Sequence, residues 1–242
     1  MSFRIISDLS HNEQAEFPEF SLKEDMYEID YIEKSESPID FDMIEAYDIL
    51  FIGDIQHTEK EKEDKFTPEE LKAIKRFVGD GGGLFLTSSA GGDRDIPMKK
   101  GSIRVLYKIT GVNRFWNGIV LESKTNFLVK KYNLLFNELY THPITKKVGE
   151  IVLPNSTFFS TVEESGEEIL TTSGKTRFKY YRDEEKDRIG SVPVAIANDF
   201  YGGRAFTIGA SDFLLEDADP GLDSGDNLIF FKNIIKWLCF EI

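Results

Sequence analysis

The amino-acid sequence predicts an α/β fold built on a parallel sheet with further strands in the C-terminal half. Strand and helix patterns alternate over the first 90 residues, which is typical of parallel α/β proteins. Residues 49–53 are apolar throughout, as expected of a strand covered on both faces. From Glu150 the pattern changes to short strands. The 242 residues contain neither an internal repeat nor an evident linker, so we expect a single domain over residues 1–242.

The first half of the chain has one especially well-marked helix, which should begin at Thr67. Thr67 can cap the helix, Pro68 suits its first position and Glu70 completes a capping box. We expect Gly79 to form the left-handed C-terminal cap. Residues 11–26 are spaced for a loose helix and residues 40–47 for a short one. The predicted strands of this half are residues 3–6, 27–32, 48–53 and 84–87.

The second half begins with a helix predicted over residues 102–110 and ended by Gly111. Residues 112–122 should return to the main sheet, residues 123–140 are ambiguous, and residues 142–145 form a turn. A helix over residues 227–239 closes the chain, because its apolar residues share one face. The predicted strands between these are residues 151–153, 157–161, 168–172, 178–181, 193–197 and 204–208.

Composition restricts the partners and the compartment. The net charge of −14 disfavours nucleic acid and anionic membrane, and the basic residues 175–182 precede three acids, as in a solvated hairpin. We find neither a membrane-spanning apolar run nor a signal-peptide layout at the N-terminus. The only cysteine, Cys239, excludes an internal disulfide. We therefore expect a cytoplasmic protein without nucleic-acid partners and without membrane insertion.

Small polar residues follow four of the predicted strands, as Ser7-Asp8, Gly53-Asp54, Ser88-Ser89 and Ser211-Asp212. The carboxyl ends of parallel strands share one edge of a sheet, where ligands bind. The alternative is that such residues simply make good turns. The candidate ligand-binding residues are Asp8, Asp54, Ser88, Ser89, Gly91, Asp93, His142, Ser211 and Asp212.

A serine nucleophile at residues 88–89 is the sharpest catalytic hypothesis, but the sequence offers it little support. Neither serine fits the Gly-x-Ser-x-Gly elbow, and either would need a histidine base. His11 and His57 follow strand ends, whereas His142 lies in a proline turn; each is more typical of an exposed loop. Cys239 in the apolar last helix is typical of an inert buried thiol. We assign no catalytic residue and expect no enzyme activity.

Metal and cofactor signals are also weak. The loop over residues 216–226 has five acidic side chains, but it lacks the alternation and the terminal glutamate of an EF-hand loop. Three scattered histidines and one cysteine make no zinc pattern. The sequence therefore predicts neither a metal nor a cofactor.

Three blocks of sequence resemble the class I glutamine-amidotransferase-like superfamily, in its GIFT-domain branch. Residues 66–71, 74–78 and 81–86 resemble the helix, glycines and strand of ThuA-like proteins and of the N-terminal domain of intraflagellar-transport B subunit 52. Residues 103–111 and 119–120 are similar to that domain, and residues 142–145 with Val148 to a His-Pro turn of the branch. Residues 203–212, 225–227 and 237–238 are similar to gliding-motility ABC-transporter auxiliary proteins.

The resemblance implies a flavodoxin-like three-layer fold in which the amidotransferase cysteine and the late His-x-Glu pair are lost. Ser88 and Ser89 occupy the elbow where the cysteine would lie. His11-Asn12-Glu13 and His57-Thr58-Glu59 have the spacing of the pair, but both precede the elbow, so we interpret them as chance matches. The resemblance thus implies a non-catalytic interaction or scaffold domain with protein partners in a transport or motility assembly, and glycan recognition as a further role. The alternative is a carbohydrate- or small-molecule-binding protein, with or without serine-dependent hydrolysis at Ser88 or Ser89.

Overall fold

The computed structural model describes residues 3–11, 13, 15–18, 27–33, 38–55, 66–92, 106–122, 128–161, 165–181 and 188–242. Asp93 and His57 lie outside the described residues, as do residues 19–26 of the predicted loose helix and residues 102–105 of the predicted later helix. No helix in the described ranges is both long enough and apolar enough to cross a membrane.

Strands account for most of the regular structure in the described part of the chain. The four α-helices found there are α1 (Phe41–Ile44), α2 (Pro68–Gly79), α3 (Tyr107–Thr110) and α4 (Asn227–Leu238). The strands found there are β1 (Phe3–Asp8), β2 (Tyr27–Ile32), β3 (Ile49–Gly53), β4 (Gly83–Thr87), β5 (Val112–Phe115), β6 (Gly118–Leu121), β7 (Asn133–Phe136), β8 (Ile151–Pro154), β9 (Phe159–Thr161), β10 (Glu167–Thr171), β11 (Arg177–Tyr180), β12 (Arg188–Ile189), β13 (Pro193–Phe200) and β14 (Gly203–Ile208).

The main sheet has seven strands in the order β10-β13-β14-β4-β3-β1-β2. The run from β14 to β2 is parallel throughout. At the other side of β14, β13 pairs antiparallel with β14, and β10 pairs antiparallel with β13. The parallel part has the flavodoxin-like order. From β1 the chain adds β2 on one side, and then β3, β4 and β14 on the other, so the switch point lies between β1 and β3. The predicted α/β fold class, with extra strands from the C-terminal half, is confirmed.

Helices cover both faces of this sheet, which gives the three layers that the resemblance implies. Helices α1, α2 and α3 contribute Ile44, Ile74 and Ile109 to the apolar core on one face. Helix α4 contributes Phe231 and Ile235 to the core on the other. Because β3 and β4 are covered on both sides, every residue of both strands is buried.

Helix α2 begins as its sequence predicts. The hydroxyl of Thr67 accepts a hydrogen bond from the backbone N–H of Glu70, and the Glu70 carboxylate accepts one from the backbone N–H of Thr67. The prediction for the other end is wrong, since Gly79 is the last helical residue and Asp80 is the cap. The glycine with positive φ is Gly81, at 117°. The left-handed residue therefore lies two positions later than predicted, just before the chain enters β4.

We expect Thr67→Ala to lower the free energy of unfolding by about 1 kcal/mol, because it removes the side-chain acceptor for the Glu70 N–H. Urea unfolding followed by circular dichroism measures the change. Thr67→Ser keeps the hydroxyl and is the matched control. Equal losses in the two variants would show that the cap is not the cause.

Residues 112–122 do not return to the main sheet, which corrects the prediction. They form β5 and β6, which pair with β9 and β11 in two smaller sheets. The chain bends between them at Asn117, and the N–H of the preceding Trp116 donates to the carbonyl of Phe158. The hydrophobic pattern of a strand indicates that it is buried but does not identify its partner, and here the partners come from the C-terminal half.

The predicted loose helix over residues 11–26 is absent from its described part, residues 11, 13 and 15–18. The backbone N–H of Ala15 donates to the carbonyl of Gly53, and Glu13 forms a bridge with Ile55. The segment is therefore bound to the chain that leaves β3, and its hydrogen bonds are not available to a helix. Phe17 is buried, with its ring 5.1 Å from that of Phe51.

Candidate functional site

The carboxyl ends of β3, β4 and β14 meet at one edge of the sheet, as the sequence predicts. The backbone N–H of Asp54 donates to the carbonyl of Thr87. The N–H of Ser88 donates to the carbonyl of Ile208, and the N–H of Ser211 donates in turn to the carbonyl of Ser88. These bonds fix three of the predicted strand ends against one another beyond the regular pairing of the strands.

A cleft of about 780 Å³ opens at this edge. Four of the predicted site residues lie in its wall, namely Asp54, Ser89, Ser211 and Asp212. The remaining wall comes from two segments that the sequence did not assign to this site, residues 15–18 and 214–218. They add the apolar side chains of Phe17 and Leu214 and the carboxylates of Glu16, Glu216 and Asp217. The cleft therefore has apolar walls and a strong excess of acidic groups.

The elbow between β4 and the following turn binds Asp54. The hydroxyl of Ser89 donates to Asp54 Oδ2 at 2.7 Å, and the backbone N–H of Ser89 donates to Asp54 Oδ1 at 3.1 Å. Asp54 has a φ of 47°, so its backbone lies in the left-handed region, which is uncommon for a residue other than glycine. Ser88 is buried, and its hydroxyl is 3.5 Å from Asp54 Oδ1. The elbow serines thus face a carboxylate.

Of the predicted site residues next to the elbow, Asp212 lines the cleft and Gly91 does not. The Asp212 carboxylate accepts a hydrogen bond of 2.7 Å from the side-chain amide of Asn155, and the Asn155 carbonyl accepts one from the N–H of Ala90. Asn155 thereby connects the turn after β4 to Asp212. Gly91 has a φ of 107° and donates its N–H to the carbonyl of Gly118, so it makes the turn and does not line the cleft.

Asp8 belongs to a different cluster, formed with residues of the connection that follows β1. The Asp8 carboxylate is 2.6 Å from Nδ1 of His11, and Nε2 of His11 is 3.0 Å from the Glu70 carboxylate. Burial alone would raise the pKa of Asp8, but the hydrogen bond and charge of His11 lower it below its ordinary value. Burial and the nearby Asp8 raise the pKa of Glu13 to about 8.

His142 lies far from the cleft, at the amino ends of the parallel strands. It precedes a 3₁₀ turn (Pro143–Thr145), accepts a hydrogen bond from the N–H of Ile144 and contacts the ring of Trp237. Its small cavity includes Asp199, which pairs with Arg204 at the start of β14. Burial lowers the pKa of His142. The structure thus separates His142 from the other predicted site residues.

One signal in the sequence could have indicated the first wall segment. Pro18 lies within the predicted loose helix, and a proline there favours irregular chain over helix. The position of the segment also depends on Gly53. A Cβ at Gly53 would lie 2.1 Å from the carbonyl oxygen of Ala15, so only glycine permits the approach.

We expect Gly53→Ala to destabilise the protein by about 1–3 kcal/mol, because residues 15–18 must move away from the sheet. The movement should also widen the cleft and expose Phe17. Thermal and urea unfolding, together with limited proteolysis of the segment, measure both effects. Gly79→Ala is the matched control, since nothing lies within 4 Å of a Cβ there. A Gly53 variant as stable and as protease-resistant as this control would contradict the assignment.

The parallel sheet, with helices on both faces and three strand ends that meet at an acidic cleft, defines a flavodoxin-like three-layer α/β domain. The mmIFT52 N-terminal domain matches with a TM-score of 0.69 at 15% identity, over 97% of this chain and 96% of that one. Cytoplasmic protein STM1381 from Salmonella typhimurium LT2 matches with a TM-score of 0.56 at 13% identity, over 98% and 99% of the two chains.

A ThuA-like protein from Bacteroides uniformis matches with a TM-score of 0.55 at 15% identity, over 98% of this chain and 91% of that one. At such low identities these likenesses show the fold alone. The fold is the one that the resemblance to intraflagellar-transport and ThuA-like proteins implied, and this expectation is confirmed. No protein-family model and no curated protein matches the sequence.

Proposed function

We propose that the chain is a non-catalytic amidotransferase-like domain that binds a protein partner within a larger assembly. The observation that carries the proposal is the hydrogen bond from the Ser89 hydroxyl to Asp54 in place of a histidine base. A serine nucleophile needs a base that takes its proton, and an aspartate by itself is a weak one. Of the described histidines, His11 is engaged by Asp8 and Glu70, and His142 lies at the opposite edge.

The cleft supplies the contact surface for this partner. Its wall includes Leu215, whose side chain is half exposed, beside Glu216 and Asp217. An apolar side chain flanked by lysine or arginine would complement both features, and the net charge of −14 would speed the approach of a basic partner. The resemblance to transport and motility proteins supports an assembly role of this kind.

Cross-linking and affinity capture from native extract test the proposal. The tagged chain should capture a defined partner, and excess untagged chain should compete with it. Leu215→Arg should abolish capture, because it places a charge in the apolar wall. Tyr201→Arg is the control, since Tyr201 is also an exposed apolar residue, at 89% against 52% for Leu215, but lies in the turn between β13 and β14, at the other edge. Recovery of free monomer alone, or capture unaffected by Leu215→Arg, would contradict the proposal.

A second candidate is a carbohydrate- or small-molecule-binding protein, which the cleft volume favours. A volume of about 780 Å³ lies within the range of ligand pockets, roughly 300–1,000 Å³. The hydroxyls of Ser89 and Ser211 and the carboxylates of Asp54 and Asp212 could bind the hydroxyl groups of a sugar. Within the described residues, the base for hydrolysis at Ser89 would be Asp54, the carboxylate to which the Ser89 hydroxyl donates.

A sugar and metabolite screen by thermal shift separates the two candidates. For the second candidate we expect a ligand that stabilises the wild type and loses its effect in Ser89→Ala, while Ser224→Ala outside the cleft still responds. Turnover of an ester or glycoside substrate that disappears in Ser89→Ala would establish catalysis and contradict the first proposal. Absence of any stabilising ligand would leave the second candidate without support.

A further inference from the structure

The cluster at the carboxyl end of β1 combines one imidazole with three carboxylates and is shielded from solvent. The side chains of Asp8 and Glu13 are fully buried, and those of His11 and Glu70 are 9% and 4% exposed. One ligand atom each from Asp8, His11 and Glu13 lies within 4.8 Å of the other two. Carboxylates are almost never buried in this way unless they are paired or coordinate a metal.

Glu70 fixes the orientation of the His11 ring. Its carboxylate accepts hydrogen bonds from the backbone N–H groups of Thr67 and Ile39, so it cannot turn away from the imidazole. Nε2 of His11 lies 3.0 Å from this carboxylate and therefore carries a proton. A carboxylate that receives one N–H of an imidazole is the arrangement that orients metal-ligating histidines in proteins.

The other ring nitrogen faces the remaining carboxylates. Nδ1 of His11 lies 2.6 Å from Asp8 Oδ2 and 3.8 Å from Glu13 Oε1. With the proton on Nε2, a neutral imidazole presents a lone pair at Nδ1 toward Asp8. Two electron-pair donors at this distance need a cation between them, and either a proton or a metal ion can take that place.

We propose that Asp8, His11 and Glu13 bind a divalent transition-metal ion, with Zn²⁺ as the best match, and that Glu70 positions His11 for it. One imidazole nitrogen and two carboxylate oxygens are a zinc donor set that leaves a fourth position for water. The imidazole disfavours Mg²⁺ and Ca²⁺, which prefer oxygen ligands alone. The sequence predicts no metal here, because its three histidines and one cysteine are scattered and the His-x-Glu spacing of His11 and Glu13 matches by chance.

The geometry requires only small movements. Ligand atoms at about 2.0–2.2 Å from a tetrahedral zinc ion lie roughly 3.4 Å apart. The two distances from Nδ1 bracket this value, so Asp8 must retreat slightly and Glu13 must approach. Bound metal would tie β1 to the connection that continues into Ala15 and Phe17 of the cleft wall. The proposal is nevertheless independent of the function of the cleft.

Calorimetric titration of the chelator-treated full chain with ZnCl₂, MnCl₂ or MgCl₂ tests the site. We expect one Zn²⁺ per chain, weaker Mn²⁺ binding and no Mg²⁺ binding. His11→Gln and Glu13→Gln should abolish measurable zinc binding. Glu70→Gln should weaken it by about 10–100-fold, as for other residues that orient a ligand. Glu16→Gln is the matched control, because it removes a neighbouring exposed carboxylate and should leave zinc affinity unchanged.

The wild-type chain provides a test that does not depend on the folding of any variant. Co²⁺ in place of zinc should give the intense visible absorption of a four- or five-coordinate site, and excess Zn²⁺ should remove it. The pale spectrum of hydrated Co²⁺, or the absence of zinc binding in the wild type, would overturn the proposal. Equal zinc affinities of the His11→Gln and Glu16→Gln variants would overturn it as well.

Discussion

Phe85→Ala should lower the free energy of unfolding by about 3–5 kcal/mol, the range for truncating a fully buried phenylalanine. Phe85 lies in the central strand β4 and is fully buried. Its ring centroid is 5.3 Å from that of Phe51, 5.8 Å from that of Phe206 and 6.2 Å from that of Phe231. The truncation would leave a cavity where three strands meet α4, and neighbours held in a sheet cannot close it.

Urea unfolding followed by fluorescence and circular dichroism measures this loss. Ile229→Ala is the control, because Ile229 is on the exposed side of α4 and 41% of its surface is exposed, so its truncation should cost about 0.5 kcal/mol or less. Phe85→Leu should fall between the two. If Phe85→Ala lowered the free energy of unfolding no more than Ile229→Ala does, the result would contradict the packing of α4 against Phe85.

Asn227→Leu should cost roughly 3 kcal/mol or more, because it leaves three buried backbone groups without partners at about 1–3 kcal/mol each. Asn227 begins α4 and is fully buried. Its Oδ1 accepts a hydrogen bond from the N–H of Val152, and its Nδ2 donates to the carbonyls of Val152 and Gly221. This single side chain joins α4, β8 and the acidic loop before the helix.

Urea unfolding gives the stability change, and hydrogen exchange at the Val152 amide gives a local measure. That amide should lose protection in Asn227→Leu beyond the global destabilisation. Asn233→Leu is the control on the same helix: its Nδ2 donates to the carbonyls of Ile144 and Lys146, but the site is partly exposed and water can replace it. An unchanged Val152 exchange rate in Asn227→Leu would contradict the assignment.

Local signals in the sequence predicted most of the elements. The start of α2 depends on Thr67, Pro68 and Glu70, which lie within one helical turn, and the capping box forms as expected. β2 spans residues 27–32 as predicted, and the apolar run after Asp48 is the buried strand β3. Such signals are readable because the interacting groups are only a few residues apart.

The candidate site was predicted only in part, because several of its contacts join residues that are far apart in sequence. Asp54, Ser89, Ser211 and Asp212 line one cleft, because parallel strands bring their carboxyl ends to one edge. Asp8 follows the same rule along the sheet, yet its carboxylate contacts His11, whose other ring nitrogen contacts Glu70. His142 lies at the opposite edge, since the Pro143 turn packs against the end of α4. Sequence proximity to a strand end did not determine which way a side chain faces.

The sequence by itself determined the class of sheet, the position of its main helices and the edge at which the strand ends meet. The tertiary structure decided which sheets β5 and β6 join, how residues 15–18 form the wall of the cleft, and which carboxylate orients His11. These features depend on contacts between residues far apart in the chain, such as Ala15 with Gly53 and His11 with Glu70. Periodicity and capping depend on residues that are neighbours in sequence. The long-range contacts form between backbone and side-chain groups that meet only in the folded chain, so local patterns do not predict them.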